Sequence, residues 1–227
     1  MIVRCLVLPI VATVLMGSAM AGTIKGSVRA QGTEKAQGSG GDDGYGSRRY
    51  KFVEKVDYSK MKDFVVSIDQ VVNGAGDSIP AENPIVVQRD ANFEPHVMPI
   101  AVGTGVKWPN KDDIYHNVFS MSDTEEFNLG LYGKEKTPII VFDKIGRVDV
   151  FCSIHTKMHC IILVLPNRFF AMADARGSYS IKDVPAGTYR LKAWHERVPA
   201  LVKEVTVPAE GEVDVDFVLG LADLPKS

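Results

Sequence analysis

The sequence predicts an all-β protein built from two sandwiches, and three observations carry that expectation. Apolar and polar residues alternate with period two. Val148, Val150 and Cys152 interleave with Arg147, Asp149 and Phe151, and Val213, Val215 and Phe217 interleave with Glu212, Asp214 and Asp216. This is the pattern of strands with one buried face. Turn signals recur between such runs, at Asn73-Gly74, Pro109-Asn110, Ala186-Gly187 and Glu210-Gly211, as expected of many short strands. No stretch longer than a turn or two keeps a helical period. At 227 residues, the chain has room for two domains of this kind.

The first segment, 1–21, reads as a secretory signal peptide. Arg4 precedes an apolar run from Cys5 to Met16, and Ala19-Met20-Ala21 offers a small-residue cleavage site. An uncleaved membrane anchor is the rival, but the run falls short of the ~20 apolar residues that span a bilayer. The expected location is therefore periplasmic or extracellular, with no membrane span after cleavage. A formal charge of −2 gives no basic surface for nucleic acid.

Residues 22–76 contain two candidate strands, 22–30 and 63–71, separated by a polar Gly-rich tract at 31–48 that reads as a loop. Residues 82–166 form the first predicted domain, with about eight candidate strands, a suitable number for a closed sandwich. Residues 167–221 supply about five more. With the two early strands these make a seven-stranded sandwich, a common size. The central domain is then an insertion into a sandwich made from both ends of the mature chain. Pairing of strand 22–30 only with residues 84–166 would contradict this. Cys160-Ile161-Ile162-Leu163-Val164-Leu165 is apolar at every position. It reads either as a strand covered on both faces or as a deep strand of a single sandwich.

The residues that carry chemistry lie in the central domain. Cys152, His155 and Met158 fall at offsets 0, +3 and +6 after an alternating strand, and His116 lies upstream in Tyr115-His116-Asn117-Val118. Two imidazoles and a thiolate in a trigonal plane, with a weak axial thioether, make a blue copper ligand set. Thiolate and thioether suit Cu(I), imidazole suits both oxidation states, and a rigid β-scaffold limits rearrangement between them. Zinc fits less well, because tetrahedral zinc sites rarely use Met.

The Cys-x2-His-x2-Met spacing resembles that of amicyanin. Residues 84–166 resemble the plastocyanin/amicyanin-type cupredoxins more widely, through Phe93-Glu94-Pro95-His96-Val97, Gly103-Thr104-Gly105-Val106-Lys107-Trp108-Pro109-Asn110 and His116-Asn117-Val118. The resemblance implies a Greek-key cupredoxin sandwich with one type 1 copper held by His116, Cys152, His155 and Met158. It also implies that Asn117 ties the two ligand loops together and tunes the cysteine sulfur. Thr156 stands where the family usually has proline, which removes one restraint on the ligand loop. Alternation from Met158 points Cys160 inward, as a buried free thiol, and His159 outward. His96, His159 and His195 are candidates for a second metal site, against the plainer reading of surface or hydrogen-bonded histidines.

The C-terminal run Asp174 to Ile181, followed by Asp183-Val184-Pro185-Ala186-Gly187-Thr188-Tyr189, resembles the transthyretin-like, carboxypeptidase-regulatory β-sandwich. Gly22 to Val28 resembles the first strand of the same fold. That fold hosts many functions, and the expected role here is a rigid platform. No Ser-His-Asp or paired-carboxylate arrangement stands out. The five histidines are too few for a multicopper oxidase or reductase, so the chain is not expected to be an enzyme. The expected function is electron transfer with a redox partner protein. The alternatives are a copper carrier or scavenger, and a surface-binding module that uses the cupredoxin as a scaffold.

Overall fold

The computed structural model of the protein describes residues 21–32, 57–72 and 80–220. The segment before Ala21 read as a signal peptide, the part of 31–48 beyond Gly32 read as a loop, and Asn73-Gly74 read as a turn signal lie outside the described residues. These residues are almost wholly β-structure, with one short 3-10 turn at Tyr58–Lys60. Among them, no helix is long and apolar enough to cross a membrane.

The strands are β1 (Ala21–Ala30), β2 (Val65–Ile68), β3 (Val87–Arg89), β4 (Asn92–Glu94), β5 (Val97–Ala101), β6 (Thr104–Lys107), β7 (His116–Ser122), β8 (Glu125–Tyr132) and β9 (Ile139–Phe142). They continue with β10 (Gly146–Phe151), β11 (His159–Leu165), β12 (Phe170–Met172), β13 (Ser178–Pro185), β14 (Gly187–His195), β15 (Val198–Val207), β16 (Glu212–Asp214) and β17 (Phe217–Leu219).

One sandwich draws on both ends of the described chain. β1 runs antiparallel to β13 and parallel to β16 and β17. The facing sheet has the order β12-β2-β14-β15. Inward residues of the two sheets, among them Ile24, Val28, Val66, Ile68, Ile181, Leu191, Val205 and Phe217, form one apolar core. β16 and β17 act as a single strand interrupted at Val215-Asp216, so the eight described segments fill seven strand positions. Gly26 makes the interruption possible. A Cβ there would lie 2.1 Å from the Val215 carbonyl oxygen. At the β13–β14 corner the buried Tyr189 hydroxyl donates to the Pro185 carbonyl (2.9 Å), which pins the Pro185-Ala186-Gly187 turn in the manner of a tyrosine corner.

The second sandwich lies between β2 and β12 in the chain. Its larger sheet has the order β5-β11-β10-β7-β8. Opposite are the β3–β4 hairpin and the β6–β9 pair, linked by parallel bridges Ile85–Lys107 and Gln88–Asn110. Between the layers lie Val86, Phe93, Val106, Trp108, Val118, Phe142, Val148, Val150, Ile162 and Val164.

β11 is covered on both faces. Cys160, Ile162 and Val164 enter the core of their own sandwich. Ile161, Leu163 and Leu165 pack with Val65, Val97, Phe170, Met172 and Trp194, joining β11 to the other sandwich. The uninterrupted apolar run follows from this double burial.

Candidate metal centre

The site forms where β7 begins and β10 ends. Cys152 directly follows β10, and the chain returns to start β11 at His159. The return is closed by backbone bonds: Cys152 N–H donates to the Met158 carbonyl (3.2 Å), and Met158 N–H to the His155 carbonyl (3.0 Å). A tight loop results, with Cys152 and Met158 buried in the same core and His155 only partly buried.

His116, the first residue of β7, is fully buried. Its Nδ1 lies 3.1 Å from His155 Nδ1 and 3.9 Å from Cys152 Sγ. His155 Nδ1 lies 3.7 Å from the same sulfur. One donor atom from each of the three residues therefore converges on one point. A trigonal first-row ion, roughly 2.0 Å from nitrogen and 2.3 Å from sulfur, holds its donors roughly 3.5–3.8 Å apart. The observed triangle is close to that, so the residues fit such an ion. Met158 supplies a thioether from the same buried cluster.

The other face of His116 is held by a residue that the sequence did not single out. His116 Nε2 donates to Asp112 Oδ2 at 2.7 Å. A carboxylate only accepts, so the ring proton sits on Nε2 and the Nδ1 lone pair faces Cys152 and His155. Asp112 is placed in turn by Asn110, whose Oδ1 accepts the Asp112 N–H (2.9 Å) and whose Nδ2 donates to the carbonyls of Ile114 and Tyr132. The Asp112 carboxylate also accepts the N–H groups of Asp90 (2.8 Å) and Ala91 (3.0 Å). Those two residues form the β3–β4 turn, both at positive φ, 51° and 52°, the geometry of a type I′ hairpin. Burial works against the Asp112 charge. The Ala91 N–H, His116 and the Asp90 N–H outweigh it and hold the carboxyl below its ordinary range. The available signal was a carboxylate four residues before His116, a weak pattern without its turn.

Asn117 links the segments of His116 and Cys152, its Nδ2 donating to Ser153 Oγ at 3.4 Å. Its Oδ1 is buried with no hydrogen-bond partner. Beneath the site the Tyr132 hydroxyl donates to the Trp108 carbonyl (2.8 Å) and accepts from Gln88 (2.7 Å). Burial pushes this phenol far above its usual range.

Cys160 is a buried free thiol, as is Cys152. Burial raises the Cys160 pKa well above the ordinary thiol value. His195 stands apart from the other histidines. Its ring packs on Phe64, and its Nδ1 accepts the Arg197 N–H at 3.0 Å.

Residues 167–215 match the family model described as polysaccharide lyase family 4, domain II. No curated protein matches the chain. Among solved structures, the chain is similar to a copper-containing nitrite reductase from Thermus scotoductus SA-01. Identity is 27%, over 42% of this chain and 25% of that one, with a TM-score of 0.36. A purple cupredoxin from Nitrosopumilus maritimus is similar at 22% identity, over 36% of this chain and 99% of that one, with a TM-score of 0.33. A Cu(I) amicyanin variant is similar at 20% identity, over 44% of this chain and 97% of that one, with a TM-score of 0.35.

Proposed function

We propose that the protein binds one copper ion at His116, Cys152, His155 and Met158 and acts in electron transfer outside the cytoplasm, with a redox partner protein. The convergence of two imidazole Nδ1 atoms and one cysteine Sγ in a closed β-scaffold carries this reading. Copper bound there supplies a one-electron couple between Cu(I) and Cu(II). Cys152 offers the thiolate, and its proton leaves on binding. Asp112 keeps the His116 ring in one tautomer and one orientation. The backbone bonds between Cys152, His155 and Met158 keep the loop donors together whether or not the charge at the site changes, and small rearrangement favours fast transfer.

His155 is the ligand candidate nearest solvent, and exposed Ile154 adjoins it. Tyr115 and Leu131, also exposed, flank the His116 and Asn117 positions. Apolar surface beside a partly exposed ligand suits transient docking of a redox partner. Thr156 and Lys157, both exposed, favour a second reading, a copper carrier with a loop free to open.

The test is the optical and EPR spectrum of the copper-loaded protein. An intense visible thiolate-to-copper band with reversible reduction is expected. Failure to retain copper after reconstitution would overturn both readings, and copper that binds without a reducible visible band would leave the carrier.

A further inference from the structure

We infer that His96, His159 and Glu196 form a second metal site, for a borderline divalent ion of the Zn2+ class, at the seam between the two sandwiches. One ligand-capable atom from each lies within 4.8 Å of the other two. His96 precedes β5 and His159 opens β11, both in the copper sandwich. Glu196 lies in the β14–β15 turn of the other sandwich. Two imidazoles and one carboxylate, with a position left open, are a known zinc donor set. All three side chains are part-exposed, so an ion can reach them from solvent.

The hydrogen bonds around the cluster orient it for a cation. His96 Nδ1 faces the His159 carbonyl oxygen at 3.3 Å. His159 Nε2 faces Asp149 Oδ1 at 2.8 Å. A carbonyl and a carboxylate only accept, so these two nitrogens carry the ring protons. In the neutral ring, His96 Nε2 then aims a lone pair at Glu196 Oε1, 3.1 Å away. Among the described residues, His159 Nδ1 has no hydrogen-bond partner. Two acceptors facing each other need a proton or a metal ion between them, and a further imidazole within 4.8 Å favours the ion.

The support behind His159 is also built. Asp149, which holds its far nitrogen, is gripped by Arg147 through Nε (2.8 Å) and Nη2 (2.7 Å). Phe151 stacks on the ring, with centroids 4.7 Å apart and planes 25° apart. A ligating histidine backed by a carboxylate is the usual arrangement at a metal site. The site shares no residue with His116, Cys152, His155 and Met158, so it stands or falls independently of the copper reading.

The test uses the full chain, stripped of metal and titrated with Zn2+, with bound metal counted per chain. In the Cys152→Ser/His155→Gln variant, one equivalent of Zn2+ is expected. Adding Glu196→Gln or His96→Gln weakens that binding roughly tenfold or more, since even outer-shell changes cost about that much. At the same concentration, Zn2+ should also raise the melting temperature of the parent variant by more than that of the Glu196→Gln form. If the double variant fails to fold, wild type and Glu196→Gln are compared directly. An affinity for Zn2+ roughly tenfold or more weaker in Glu196→Gln is expected whether or not the first site fills. No stoichiometric Zn2+ uptake, or uptake unchanged by both substitutions, overturns the inference and leaves His96–Glu196 as a plain ion pair.

Discussion

Asp112 and His116, four residues apart, are joined by a 2.7 Å hydrogen bond from His116 Nε2 to Asp112 Oδ2. That bond decides which nitrogen of the ring is offered to Cys152. Asp112→Asn keeps the shape and removes the charge. Copper affinity is expected to fall about 10- to 100-fold, read by competition with a chelator of known affinity. Unchanged affinity would show that the ring is held by packing alone.

Cys152 and Met158 should separate in their effects. Cys152→Ser removes the only sulfur of the donor triangle, so the intense visible band should vanish. Met158→Leu keeps the trigonal donors and the buried volume, so the band should survive while the reduction potential shifts. Voltammetry beside the absorption spectrum checks both.

The β3–β4 turn holds Ala91 at a φ of 52°, a conformation that costs residues with a Cβ roughly 1–2 kcal/mol. Ala91→Gly relieves that strain and keeps the N–H donated to Asp112. A gain of about 1 kcal/mol is expected after the extra chain entropy of glycine, with the copper spectrum unchanged. Denaturant unfolding of the two forms measures it.

Ile161 is fully buried at the contact between the sandwiches. Ile161→Ala should destabilise the protein by about 2–5 kcal/mol. Because β11 belongs to both packed layers, the copper band and the far-ultraviolet circular dichroism should still be lost in one transition. Two separated transitions would show that the sandwiches unfold independently.

Asp216 accepts the Ser27 hydroxyl (2.8 Å) and the Ser27 N–H (2.7 Å), tying β1 to the break between β16 and β17. Its carboxyl is held below the ordinary value of 3.8 by the Ser27 hydroxyl first and the Ser27 N–H next. A carboxylate with a depressed folded pKa stabilises the fold above its unfolded pKa. That contribution fades as pH falls through the folded value. Asp216→Asn should therefore lower the melting temperature at pH 7. The gap to wild type should shrink below about pH 4.

The parts legible in the sequence were those that one stretch of chain encodes. Val148, Val150 and Cys152 alternate along one strand, and Cys152, His155 and Met158 fall in one loop closed by its own backbone. The apolar run 160–165 announced unusual burial but left its cause open. That cause, Trp194 and Phe170 on the outer face, is supplied by the other sandwich. Asp112 stayed hidden because its role depends on the Asp90-Ala91 turn 21 and 22 residues upstream. His96, His159 and His195 looked equivalent as isolated histidines. Tertiary contact sorted them, bringing Glu196 to His96 across 100 residues and leaving His195 against Phe64.

The outer stripe of β11 also bears on how the sandwich that holds His116 and Cys152 can be handled or inherited. Cut out as residues 82–166, it would carry Ile161, Leu163 and Leu165 uncovered along one sheet, a greasy seam that invites self-association. A free-standing version would need those three positions rewritten in polar residues. The sandwich that surrounds it is thus its solubilising jacket.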